Sequence, residues 1–243
     1  AEAAMRPDMP TVGIKSAEEQ DMQAIHRMRS QCSRDRTALS NSMRGLLGEY
    51  GIVFAKGVAT LRRKIPEILE DAENGLSLRF RHLLARRYEQ LVELEEHMAF
   101  YTKELERLSQ QDDGCQRLQT VPGFGPIVAS AFRSVIGDGR TYARGRDVAA
   151  SIGLVPRQYS SGGRNVLLGI SKRGDKYLRK QLVHGARSVV LQAVNKEDPL
   201  SQWINRIREE RGWNKAVVAL ANKMARIGWA ILRHKTSYQP ATR

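Results

Sequence analysis

A seven-residue rhythm of apolar side chains constrains the fold of this chain more than any other feature of its sequence. Leu91, Leu94, Met98, Tyr101, Leu105 and Leu108 fall at the a and d positions of a heptad, and Leu84 carries the stripe backward past Arg87. Only a helix returns residues three and four apart to one face, so the stripe predicts a helix from about Leu76 to Leu108. Glu93, Glu95, Glu96, Lys103, Glu104, Glu106 and Arg107 supply its charged flanks. A second stripe, Ile25, Cys32, Leu39 and Leu46, also repeats every seven residues, with Met22, Met43 and Tyr50 beside it and Arg29 and Arg36 interrupting it. Ahead of it, Ser16-Ala17-Glu18-Glu19 fits a capping box, in which the serine and the glutamate three residues on each satisfy a free N–H. A helix of about thirty residues, ending near Gly48 or Gly51, is expected there. The two helices predict an antiparallel coiled-coil hairpin, or one that zips onto another copy of the chain. Between them, 52–75 carries Leu61, Ile65, Ile68 and Leu69 around Pro66 and reads as a short irregular helical linker. The Leu and Met stripes are read as core, not as cofactor contacts.

Gln110-Gln111-Asp112-Asp113-Gly114 ends the heptads and marks the main boundary. Beyond it, helical patterning runs through Leu182, Val183, Ala186 and Val190, stops at Asp198-Pro199, restarts through Trp203 and Ile207, stops at Gly212, and closes through Val217, Leu220, Met224 and Leu232. The best strand signal is Gly153 to Tyr159. The fold class is therefore mainly α: a long coiled-coil helical hairpin over 16–110, then a helical domain over 115–236 containing a helix-hairpin-helix-like unit. Residues 1–15 read as the tail of a preceding domain plus an extended connector, since Ala1-Glu2-Ala3-Ala4-Met5 opens without an initiator Met and resembles the end of a helix.

Charge narrows the partners. Lys plus Arg number 40 against 26 Asp plus Glu, a net charge of +14, which favours a polyanion bound through its phosphates. No apolar run approaches the roughly 20 residues needed to span a bilayer, and no basic amphipathic helix with an aromatic face suggests a membrane surface. Cys32 and Cys115 lack Cys-x-x-Cys spacing, and the five histidines form no helical pair, so no metal site and no disulfide framework are expected. The chain reads as cytoplasmic. Aromatics at 6% do not advertise a base-stacking surface.

Glycine, proline and cations concentrate between Leu118 and Lys180. Val121-Pro122-Gly123-Phe124-Gly125-Pro126 resembles the turn of a helix-hairpin-helix unit, where the N–H groups of Gly123 and Gly125 would face a phosphate at the start of the next helix. The competing reading is a tight turn between packed helices. Arg157, Arg164, Lys172, Arg173, Lys176, Arg179, Lys180 and Arg187 are eight cations in thirty-one residues, opposed only by Asp175. Interleaved with Gly162, Gly163, Gly169 and Gly174, they predict a flexible loop that lies on nucleic acid and feeds a helix near Asp175; a solvated charged face is the alternative. In Ser160-Ser161-Gly162-Gly163-Arg164, a serine beside glycines and an arginine has the chemistry to attack a phosphodiester, though Ser-Ser-Gly-Gly also occurs in plain loops. No Asp/Glu pair is spaced for two metal ions.

Read together, these motifs carry a resemblance. Pro122-Gly123-Phe124-Gly125, then Gly153-Leu154-Val155-Pro156-Arg157-Gln158-Tyr159-Ser160-Ser161-Gly162, then Ser171-Lys172-Arg173-Gly174 stand in the order of the C-terminal domain of the IS one-ten family of bacterial insertion-sequence transposases, which the chain resembles closely. The resemblance implies a DNA recombinase with three parts: an N-terminal RuvC-like domain whose four acidic residues bind metal, a coiled coil, and this C-terminal domain. It implies that Ser161 is the nucleophile that becomes linked to DNA, with Ser160 in the neighbouring, non-nucleophilic slot. It also implies DNA as partner, a structured guide RNA in some members, homo-oligomers through the coiled coil, and Mg²⁺ at the RuvC-like domain. Against that pattern the RuvC-like domain is expected to be missing from this chain, and neither Glu2 nor Asp8 is expected to belong to its acidic set. No cofactor is expected in this chain, and this chain alone is expected to be inactive. The nucleic-acid contacts expected are Gly123, Gly125, Arg157, Arg164, Lys172, Arg173, Lys176 and Lys180. Two other classes compete: a non-catalytic helix-hairpin-helix module or transposase relic, and a coiled-coil scaffold with incidental charge.

Overall fold

A computed structural model describes residues 13–160, 164 and 166–240. They are mainly α-helical, in the order α1 (Ala17–Glu49), α2 (Val58–Glu70), α3 (Leu78–Gln111), α4 (Asp113–Gln119), α5 (Pro126–Ile136), α6 (Gly145–Ser151), β1 (Pro156–Gln158), β2 (Leu167–Ile170), α7 (Lys176–Gln192), α8 (Pro199–Arg211) and α9 (Trp213–His234). Two compact units divide them: Ala24–Glu104, and residues up to Gln23 together with Leu105 onward. Among the described residues no helix is long and apolar enough to cross a membrane.

In the first unit, α1 and α3 run antiparallel. Arg29 Nε donates to Thr102 Oγ1 at 2.8 Å, and Arg36 pairs with Glu95 at 3.7 Å. Seven residues forward on α1 therefore meet seven residues back on α3. Leu39, Met43 and Leu47 of α1 share a core with Leu84 and Leu91 of α3. The intervening segment is not an irregular linker. It holds the regular helix α2, whose Leu61, Ile65 and Ile68 are buried in that same core. Pro66 lies inside α2 and cannot donate to the Arg62 carbonyl one turn back. Tyr88 Oη donates to that carbonyl instead, at 3.3 Å, which is why a proline is tolerated there.

His26 is 3% exposed on α1. Burial, then the positive charge of Arg29, draws its imidazole down to about 4. The folded chain thus disfavours the proton that the unfolded chain takes up near pH 6.5. Stability is complete above that value and falls as pH drops toward 4, by about 3 kcal/mol in all. Denaturant unfolding is expected to find a loss of about 2 kcal/mol between pH 7.5 and 5 that a His26→Gln variant lacks; equal pH slopes in the two proteins would rule His26 out as its source.

The second unit is organised on α9. Its Ala216, Val217, Leu220, Ala221, Met224, Ala225, Gly228, Ile231 and Leu232 are buried, and they join Leu118, Phe124, Phe132, Val148, Leu178, Leu182 and Ile204 in one core. The capping box closes as read: Glu19 N–H donates to Ser16 Oγ and Ser16 N–H to Glu19 Oε2, each at 3.2 Å. Lys15 Nζ and Gln23 Nε2 both donate to the Ser134 carbonyl, at 3.0 and 2.9 Å. Arg133 binds Glu19 and also reaches Asp112 at 3.3 Å. Asp112 in turn caps α4, accepting from Cys115 N–H at 2.6 Å. Asp175 caps α7 by accepting from Leu178 N–H, and Asp198 caps α8 by accepting from Leu200 and Ser201 N–H.

Candidate nucleic-acid interface

Two pairs of glycines place the site. In the turn between α4 and α5, Phe124 N–H donates to the Val121 carbonyl at 3.0 Å. Gly123 takes φ 91°, the value the third position of a Pro-Gly turn requires. Phe124 is buried and meets Phe132 edge to face at 5.4 Å. Both rings lie where a Cβ on Gly228 of α9 would come within 3.0 Å. Gly123 itself sits on α7: a Cβ at Gly185 would stand 2.2 Å from the Gly123 carbonyl oxygen. So Gly123 seats the turn against a helix. Gly125, by contrast, caps α5 with an exposed backbone and open space where a Cβ would be.

The second pair closes the foot of a β-hairpin. β1 and β2 pair antiparallel, Pro156 opposite Ile170 and Gln158 opposite Leu167, with an irregularity between. The segment expected to be a flexible loop thus contains, among its described residues, a pair of strands, and β1 falls within the stretch singled out as the best strand. Gly153 and Gly174 take φ 71° and 72°. A Cβ on Gly174 would stand 1.7 Å from the Ser151 carbonyl oxygen, and one on Gly153 2.4 Å from that of Arg173. Lys172 N–H donates to the Gly153 carbonyl at 3.1 Å and Ser171 N–H to that of Val155 at 2.8 Å. Arg179 reaches back from α7 to the carbonyls of Ile152 and Arg173, at 2.9 and 2.8 Å. One of the eight counted cations is therefore engaged in locking the hairpin.

The remaining expected contacts are exposed. Arg157 lies on β1, Arg164 beyond it, and Lys172 and Arg173 at the hairpin foot. Lys176 and Lys180 share a face of α7 with His184 and Arg187, by their spacing of four, four and three. Burial, then the positive charges of Lys180 and Arg187, lowers the His184 pKa. Ser161 lies outside the described residues, as do Gly162 and Gly163. The Tyr159 N–H donates to the Val166 carbonyl at 2.9 Å, joining the chain on either side of them. Cys115, the one buried thiol, is pushed up to about 12 by burial and by Asp112, which leaves it without thiolate character. Among the described residues, no three His, Cys, Asp or Glu side chains gather where they could hold a metal ion.

A further basic surface is one that sequence order concealed. An open groove of about 1910 Å³ runs between the hairpin and α8–α9. Its cations are Arg144 and Arg146, Arg206 and Arg211, and Lys215, Lys223 and Arg226; Glu210 is the one acid lining it among the described residues. None of Gly123, Gly125, Arg157, Arg164, Lys172, Arg173, Lys176 or Lys180 lines it. Lys223 Nζ lies 4.3 Å over the Trp203 ring, and burial, then Arg226, lowers its pKa. A scan for local charge runs misses these residues because they are spread from 144 to 226. Their spacing along α9 is the one local signal.

Comparison with known proteins gives the chain its relatives. A family model described as transposase, IS116/IS110/IS902 family, matches residues 115–200. Over 239 residues the chain is 43% identical to the transposase for insertion sequence element IS1111A of Coxiella burnetii, covering 98% of this chain and 66% of that protein. It is 44% identical over 240 residues to a probable family 20 transposase of Pseudomonas aeruginosa, at 98% and 71% coverage. It is 38% identical over 239 residues to the transposase for insertion sequence element IS1328 of Yersinia enterocolitica, at 98% and 70%. The chain thus spans about two thirds of the length of these relatives.

Proposed function

Because the chain belongs to the IS116/IS110/IS902 family of insertion-sequence transposases, we propose that it serves DNA strand cleavage and exchange in transposition, with Ser161 as the nucleophile. The observation that carries this reading is the lock at the hairpin foot. Gly153, Gly174 and Arg179 fix both ends of the segment in which Ser161 stands, and a nucleophile needs a held frame more than it needs a local base run.

In the step proposed, Ser161 Oγ attacks phosphorus and forms a P–O ester to the protein. One phosphodiester P–O bond breaks, and the hydroxyl proton ends on the freed deoxyribose oxygen. One phosphodiester replaces another, so the exchange is reversible and a DNA hydroxyl can later displace the serine. Arg157, Arg164, Lys172 and Arg173 would hold phosphates around that segment, and Lys176 and Lys180 would continue the track along α7. Of the two glycines in the turn between α4 and α5, Gly125 has the exposed backbone for a phosphate contact, while Gly123 positions it. The acidic metal-binding domain, the guide RNA and the oligomer implied by the resemblance belong to the same reading.

The test is covalent capture. A transposition-competent protein containing this chain is mixed with a DNA substrate nicked beside the cleavage point and quenched in denaturant. Digestion is expected to leave the adduct on the tryptic peptide Gln158–Arg164, with fragmentation placing it on Ser161. Recombination that proceeds through a different residue, or with no adduct, would leave the chain a non-catalytic nucleic-acid module.

A further inference from the structure

We infer that the groove between the β-hairpin and α8–α9 binds an unpaired DNA strand, its phosphates on the helices and its bases against the hairpin. The choice of DNA rests on the function proposed above; the groove's own chemistry carries the rest. Its two walls differ in kind. Arg206, Arg211, Lys215 and Arg226 are exposed on the helical side. On the other side stand Leu167 and Leu168, 68% and 47% exposed, with Pro156 and Ile170 beside them. Aliphatic side chains left in water opposite a row of cations fit a ligand that is anionic along one edge and apolar along the other.

An unpaired strand is such a ligand, because its base faces are free to leave water. A duplex turns its bases inward and offers the groove only sugar and phosphate, which would strand the leucines against charge. Length agrees. The lining face of α9 runs from Asn214 to Ala230, roughly 24 Å at the helical rise, enough for several nucleotides. Val218, Ala219 and Ala230 keep its floor shallow between the cations, so a backbone can approach closely. Though aromatics are few in the chain as a whole, Trp203 and Trp229 both line this groove. Lys223, crowded by Arg226, gains a counter-charge when a phosphate arrives.

The experiment measures anisotropy of labelled oligothymidylate, of a duplex of equal length and of oligouridylate, each titrated with the full chain across a salt series. The deoxy strand is expected to bind tightest. Arg206→Ala with Arg211→Ala and Lys215→Ala is expected to weaken it about 30-fold at moderate salt and to flatten the log–log salt slope by about 2, at ~0.7 per lost phosphate contact. Leu167→Ser with Leu168→Ser is expected to weaken it about tenfold with the slope unchanged, the mark of an apolar contact. All variants sit on exposed positions, and unfolding curves matching the parent's qualify them. Tighter binding of duplex or of oligouridylate, equal competition by polyglutamate, or parental affinity in either variant would overturn the inference. A parallel Lys172→Ala, Arg173→Ala variant separates the two proposals. If it alone weakens binding, the groove falls and the transposase reading stands. If the groove variants weaken binding but no adduct forms at Ser161, the nucleophile falls and the groove stands.

Discussion

Ser161→Ala is expected to abolish strand transfer while leaving DNA binding within about twofold of the parent. A serine that forms the covalent bond has no partial substitute in alanine, so the loss should reach about 10⁴-fold or the assay floor. Binding should survive because the phosphate contacts proposed here belong to cations that the substitution does not touch. Ser160→Ala, one residue away, is the control that separates chemistry from loop shape, and it should retain most of the activity. The two quantities need to be read in the same preparation, by product analysis on gels and by anisotropy. Recombination by Ser161→Ala at the parental rate would end the assignment. Loss of binding together with activity would mean that the substitution disturbed the hairpin, and the Ser160→Ala control would then fail alongside it.

The largest expected effect on stability comes from Gly174→Ala. Its added methyl would stand 1.7 Å from the Ser151 carbonyl oxygen, at φ 72°. The left-handed conformation alone costs a non-glycine residue about 1–2 kcal/mol. The collision adds more, because its partner is backbone and cannot rotate away. A loss above about 4 kcal/mol is expected, equivalent to a fall of roughly 10 °C in melting temperature for a domain of this size. Gly169→Ala on β2 is the matched control: a Cβ there meets nothing within 4 Å, and melting should shift by a degree or less. Equal melting of the two variants would mean that the crossing of Gly153 and Gly174 is not a tight one.

What could be read from the chain divides along physical lines. Local signals were legible. The Ser16–Glu19 box, the helix start near Asp175, the break at Asp198-Pro199 and the helices carrying the heptads of α1 and α3 each rest on signals within a few residues, and each formed where expected. Pro66 misled because its helix-breaking effect is local, whereas the Tyr88 hydroxyl that satisfies the freed carbonyl comes from another helix. The hairpin was hidden because Leu167-Leu168-Gly169-Ile170 has no alternation and a glycine within it. That Gly123 seats its turn on α7 could not be read, because its partner Gly185 is distant in sequence. The groove was invisible for the same reason: charge that is local in sequence need not be local in space, and the converse holds as well. Arg179 shows the cost of counting, since its guanidinium is turned inward onto two carbonyls.

The closed foot of the hairpin also bears on how this region can change. Because Gly153 and Gly174 bring the two ends of 154–173 into backbone contact, the segment behaves as a cassette inserted between α6 and α7. Leu154, Val155 and Ile170 near its foot pack into the helical core and tie that end to α9, so change is tolerated better with distance from the foot. The two glycines cannot trade places with other residues by compensation, since each is opposed by main chain and no smaller neighbour exists to yield. Diversity in what the segment grips is therefore free to accumulate, on a frame that holds still.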